Sequence, residues 1–115
     1  MSNRVYESIW ETLHTTSLIK TNNLIPSNEV QHNLYVKCEF QNPTGKFTDR
    51  IANLLFNHLV DNNKIIENQA LVLAYKKNFT HSFASRAVKG GYKVVIFYDN
   101  TADIKEISYL NFLGV

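Results

Sequence analysis

From residue 33 onward the sequence alternates between two hydrophobic periods, and this alternation limits the possible folds more than any other feature. NLYVKCEF (33–40) is β-rich and lies between PSNEVQHN and QNPTG, which predicts a strand. KFTDRIANLLFNHLVDNN (46–63) sets Phe47, Ile51, Leu54, Leu55 and Leu59 on one side of a helix, which is expected to be its inner face. Asp49 falls in the first turn, where a negative charge suits the helix dipole. ALVLAY (70–75) is a continuous apolar run, the pattern of a strand buried on both faces. A second helix is expected over 79–89, with Phe79, Phe83, Ala87 and Val88 inward and Gly90-Gly91 as its stop. YKVVIFY (92–98) is the richest stretch in β-branched and aromatic residues and predicts a further strand. A third helix over 103–113 presents Ile104, Ile107, Leu110, Phe112 and Leu113, with Gly114 at its C-terminal cap.

Strands separated by helices pair in parallel through right-handed crossovers. The expected class is therefore α/β, three-layered, with a mostly parallel sheet and helices on its faces. Residues 1–32 read as an N-terminal extension and 33–115 as a partial α/β small domain. A helix that ends in glycine and enters an apolar residue, as LGV does at 113–115, usually precedes another strand. The sequence is thus expected to cover part of a larger architecture.

Composition removes several classes of function. A net charge of +2 gives no electrostatic case for nucleic acid or a membrane surface. No apolar run approaches the roughly 20 residues that span a bilayer, and MSNRVYESIW lacks the pattern of a secretory signal. Cys38, the single cysteine, cannot form an internal disulfide and reads as a buried, inert thiol. These features point to a cytoplasmic protein. His14, His32, His58 and His81 show no metal-ligand spacing, so no metal site is expected. NFT at 78–80 matches a glycosylation acceptor by accident of composition.

The informative motif is NPTGKFTDR (42–50). Together with LYVKCEF before it and RIA after it, this stretch resembles the strand, loop and helix that carry the cofactor lysine in the cysteine synthase and cystathionine β-synthase family. ESIWETLHTTSLIKTNNL (7–24) is similar to that family's opening, and EISYLNFLGV to its L-x-x-L-G-A helix. The resemblance implies the tryptophan-synthase-β fold type, of which this chain would be the N-terminal part. It implies pyridoxal phosphate as cofactor, and an ancestral β-replacement on serine or a serine ester in sulfur amino-acid metabolism.

Pyridoxal phosphate acts as an electron sink once its aldehyde has condensed with an amine. The family motif runs Gly-Ser-apolar-Lys-Asp-Arg, whereas this chain has Gly45, Lys46, Phe47, Thr48, Asp49 and Arg50. Thr48 holds the lysine position, and a hydroxyl cannot form an imine. Lys46 lies two positions away, about 200° around a helix, and is expected to point outward as a solvated lysine. From a preceding loop its stem could curl back. The family's Thr-Ser-Gly-Asn-Thr-Gly loop is matched by Tyr75 to Thr80, YKKNFT, where Lys77 and Thr80 replace both glycines. Asn78 alone is retained, at the position that would contact the cofactor ring, although a role as helix N-cap is sufficient to explain it.

No catalytic residue is therefore assigned, and Asn78 is the only cofactor-binding candidate. Asp49 and Arg50 are expected to serve the helix start and packing. The chain reads as a truncated, catalytically inactive relative of these enzymes, with pyridoxal phosphate not covalently bound. The alternative is an interaction module that associates with a full-length family member or with itself. An apolar patch is expected where the rest of the family fold would pack.

Overall fold

The computed structural model describes residues 4–21 and 33–115. His32 and the end of the 7–24 stretch lie outside these residues. After a 3-10 turn at Ile9–Thr12 come β1 (Leu18–Lys20) and β2 (Tyr35–Lys37), followed by a second 3-10 turn at Glu39–Gln41. The order continues with α1 (Thr48–Asp61), β3 (Ala70–Ala74), α2 (Lys77–Lys89), β4 (Lys93–Phe97) and α3 (Ile104–Phe112). β3 and β4 pair in parallel, from Ala70 opposite Lys93 to Ala74 opposite Phe97, with α2 as the crossover. This is the α/β unit that the alternating pattern predicts.

The stretch 33–40 departs from that pattern. Only Tyr35–Lys37 is a strand, and it pairs antiparallel with β1, Leu18 opposite Lys37, instead of joining the parallel series. The chain bends at once because Cys38 turns inward, 1% exposed, and Glu39–Gln41 winds into a 3-10 turn. The thiol is free and buried, as expected.

The core lies between α1, α2, α3 and one face of the β3–β4 sheet. Ala52 and Phe56 of α1 meet Phe83, Ala84 and Ala87 of α2, with Val94, Ile107 and Leu110 closing the cluster. The alanines let the two helices approach, and the rings fill the space beyond them. Phe56 meets Phe83 and Tyr92 edge-on, with centroids 6.3 and 5.5 Å apart. Arg86 lies 4.2 Å from the Phe56 ring and donates to Asn53 and Asn57. Burial holds the Arg86 guanidinium below its ordinary range. Gly90 ends α2 beneath this ring; a Cβ there would stand 2.6 Å from Phe56 Cζ.

Three expected faces are therefore corrected. On α1 the buried side is Thr48, Asp49, Ala52 and Phe56, while of the expected stripe Phe47, Ile51, Leu54 and Leu55 are exposed and Leu59 packs against the core. Periodicity selects the stripe of largest apolar residues, but close packing against α2 selects the stripe with small ones. On β3, Leu71 and Leu73 turn to the core and Val72 is exposed, so the strand is covered on one face. On α3, Ile107 and Leu110 are buried, whereas Ile104 and Phe112 are exposed. No helix among the described residues is long and apolar enough to cross a membrane.

Candidate functional site

The loop 42–50 is held by side chains that bond back into it. Gly45 takes φ 76°, a left-handed turn that suits glycine. The turn brings Thr44 over the start of α1, where its backbone N–H and hydroxyl donate to the two oxygens of Asp49 at 2.7 and 2.5 Å. Asp49 is fully buried. Asn42 Nδ2 donates to Glu39 at 2.7 Å and to the Lys46 carbonyl at 3.0 Å.

Arg50 clamps the preceding elements with its fork of donors. Nε and Nη2 each reach a Glu39 oxygen at 2.9 Å, Nη1 reaches the Leu13 carbonyl, and Nη2 also reaches Thr16 Oγ1. The bidentate geometry gives this pair its strength and fixes its direction. Arg50, and then Asn42, hold the Glu39 carboxyl down at about 2; Glu39 in return raises the guanidinium. The Asp49-Arg50 pair thus has a structural occupation, as expected.

Thr48 is buried and faces α2. Its hydroxyl lies 2.8 Å from Ser82 Oγ and donates to the Asn78 carbonyl at 3.3 Å. Ser82, fully buried, also lies 3.4 Å from Thr44 Oγ1. A chain of hydroxyls therefore runs from Asp49 through Thr44, Ser82 and Thr48 to the backbone of α2. The sequence reading missed Ser82. Its only signal is a second hydroxyl on a facing helix, legible once the pairing of α1 with α2 is known.

The start of α2 corrects the reading of Asn78 as an N-cap. Asn78 is not the N-cap: Lys76 holds that place, and Asn78 is the second residue of the helix, exposed. Thr80 Oγ1, buried, accepts the Lys76 N–H at 2.6 Å and closes the turn from within. Thr80 therefore turns inward and does not crowd the surface. Lys77 keeps φ 20° where the resembling motif has glycine, and its side chain is exposed.

Nor does Lys46 point into solvent. It lies in the loop before α1, and its Nζ sits 2.7 Å from His81 Nδ1 on α2. A two-position helical offset does not apply, because the helix begins only at Thr48. Nearby, the Tyr75 hydroxyl donates to Glu106; burial, and then Glu106, push the phenol up to about 12. Beyond the C-terminal ends of β3 and β4 lies a cleft of about 530 Å³ lined by Tyr75, Lys76, Lys77, Tyr98, Asp99 and Thr101. This is where open parallel sheets place their ligand sites.

A family model described as pyridoxal-phosphate dependent enzyme matches residues 9–115. The chain belongs to the pyridoxal-phosphate dependent enzyme family. Cystathionine beta-synthase of Apis mellifera is 30% identical over 96% of this chain and 22% of its own length. Cysteine synthase 1 of Emericella nidulans is 31% identical over 90% of this chain and 28% of its own. Among solved structures, cysteine synthase from Entamoeba histolytica superposes with a TM-score of 0.90 at 18% identity, covering all of this chain and 35% of that one. A hydrogen sulfide-producing enzyme from Fusobacterium nucleatum gives 0.88 at 24% identity, over 98% of this chain and 36% of that one. The chain thus spans between about a fifth and a third of these relatives, and its fold is that of their N-terminal region.

Family membership implies pyridoxal phosphate, which would supply an electron sink on condensing with a lysine. The residues at the motif do not fit that attachment. Position 48 offers a hydroxyl already bonded to Ser82 and the Asn78 carbonyl. Position 46 offers an amine already bonded to His81. At the other loop, the Lys76 N–H is taken by Thr80. No reaction step through the cofactor follows from this arrangement.

Proposed function

We propose that this chain is a catalytically silent relative of cystathionine beta-synthase and cysteine synthase, in which the small α/β unit is kept as a scaffold. The carrying observation is Thr48, whose hydroxyl stands where the resemblance places the imine lysine and is built into the α1–α2 contact. The reaction of its lineage is a β-replacement on serine or a serine ester. Asn78, exposed on the first turn of α2, is the remaining position at which the cofactor ring would be met without a covalent bond. A cytoplasmic setting suits the single buried thiol of Cys38.

Incubation with pyridoxal phosphate, borohydride reduction and peptide mass mapping test this reading. The expected result is no stoichiometric pyridoxyl adduct on any lysine. A one-to-one adduct, on Lys46 above all, would overturn it.

A second reading, an interaction module, has its own support. Ile51 and Leu54 of α1, with Phe47 at its N-cap, form an exposed stripe, Leu54 being 72% exposed, and Leu18, Ile19, Tyr35 and Val36 are exposed on the β1–β2 pair. Apolar surface of this kind favours association. The partner would be a full-length family member or a second copy. Light scattering with and without purified cystathionine beta-synthase decides the matter: a monomer that binds neither sinks this reading.

A further inference from the structure

Lys46 and His81 join the loop before α1 to the second turn of α2 through one contact, Nζ to Nδ1 at 2.7 Å. The imidazole is 4% exposed, and the Glu106 backbone lies near the ring without completing a hydrogen bond of good geometry to Nε2. Tyr75 at the end of β3 and Tyr109 of α3 flank the ring, with centroids 6.4 and 5.2 Å away. Three charged groups face it: Lys46 from the loop, Lys77 from α2 and Glu106 from α3. Glu106 is itself engaged by the Tyr75 hydroxyl and stands 4.0 Å from Lys77.

The contact dictates a protonation state. An ammonium has donors only, so Nδ1 must accept, and the ring must be neutral with its proton on Nε2. A proton added at Nδ1 abolishes the acceptor and leaves two cations at hydrogen-bond distance. We propose that the Lys46–His81 contact is an acid-sensitive latch, closed while the imidazole is neutral and opened by its protonation, which frees the Lys46 amine to solvent. Burial is the main influence holding His81 below its ordinary range, followed by Lys46; the Glu106 carboxylate and backbone pull the other way, and Lys77 adds to the lowering. The folded ring thus binds protons less readily than the unfolded one. The latch contributes fully above the ordinary histidine value of about 6.5 and is lost as pH falls from there through the folded value.

Two measurements on this chain test the latch. In NMR ring titrations, His81 should take up its proton below the ordinary histidine value of about 6.5. Lys46→Met should move the His81 midpoint up by about one pH unit, the scale of one close charge at a buried site. An unmoved midpoint overturns the proposal. In competitive acetylation, Lys46 should be protected relative to the exposed Lys64 at pH 8. That protection should fall about tenfold across the His81 titration, the worth of one charge-assisted hydrogen bond of ordinary strength. In His81→Gln, Lys46 labelling relative to Lys64 should no longer change with pH. If Lys46 in the unaltered chain reacts as fast as Lys64 at pH 8, there is no latch. The titration and labelling of the unaltered chain carry the test even where a variant fails to fold.

Discussion

Loops 42–50 and 75–80 carry the two motifs of the resemblance, and they have parted from it in different ways. The first is held from outside and across: Asn42 and Arg50 reach Glu39, Asp49 reaches Thr44, and Thr48 reaches Ser82. The second is held from within, by the bond between the Lys76 N–H and Thr80, while Lys76 and Lys77 project outward. In the first loop, Lys46 and Thr48 differ from the motif and both are bonded across to α2, Lys46 to His81 and Thr48 to Ser82. In the second, most positions differ from the motif, and its ties to the rest of the chain run through Tyr75 to Glu106 and through the Asn78 carbonyl to Thr48. A residue woven into packing, as Asp49 and Thr48 are, is fixed by several partners; a side chain that projects from its loop, as those of Lys76 and Lys77 do, is not.

If this contrast is right, substitutions in the first loop should cost far more than those in the second. Asp49→Ala is the severest case. It strands the Thr44 N–H at a half-buried site and leaves the Thr44 hydroxyl only its long contact to Ser82, and an unsatisfied donor costs about 1–3 kcal/mol. A loss of about 3 kcal/mol is expected in urea unfolding, and a loss within experimental error would break the comparison. Thr48→Val keeps the shape and removes the bonds to Ser82 and the Asn78 carbonyl. Here the denaturation midpoint should report about 1–2 kcal/mol. A stabilised Thr48→Val would mean that the hydroxyl chain is an incidental feature of α1–α2 packing.

The Arg50–Glu39 clamp is partly exposed, so solvent screens it and its effect should be smaller. Its signature is pH. Glu39 is depressed from 4.5 to about 2, so the clamp contributes fully above about pH 4.5 and is lost as pH falls through about 2. Thermal unfolding of the unaltered chain and of Glu39→Gln should differ at neutral pH and converge near pH 2. A gap that stays constant with pH would assign the role of Glu39 to shape, not charge.

Much of this arrangement is legible in the sequence, and the rest is hidden for definite reasons. The parallel β3–α2–β4 unit follows from the spacing of two apolar runs, and Gly90 and Gly91 mark the helix stop. The inward thiol of Cys38 and the structural use of Asp49 and Arg50 are also visible from residue types. The buried face of α1 is not: the large residues Phe47, Ile51 and Leu54 advertise one stripe, while Ala52 and Phe56 supply the other. Choosing between them needs knowledge of the alanines at 84 and 87 on the facing helix. Lys46 is misjudged for a related reason. Its direction depends on whether α1 starts at 46 or at 48, and helix starts are the least secure reading of a sequence. Asn78 as an N-cap fails through the same shift, since α2 begins one residue before it.

The smallest expected effect has the opposite sign and comes from the second loop. Lys77 holds φ 20°, a region that side-chain-bearing residues rarely adopt, at the position where the resembling motif carries glycine. Its ion pair with Glu106, at 4.0 Å with an exposed lysine, offers little in return. Lys77→Gly should therefore relieve strain of about 1 kcal/mol or more, set against the entropy that a glycine adds to the unfolded chain. A net gain of about 0.5 kcal/mol is the expected outcome in chemical denaturation. A loss would show that the Lys77 side chain is held by something other than Glu106, and the second loop would then be as firmly tied as the first.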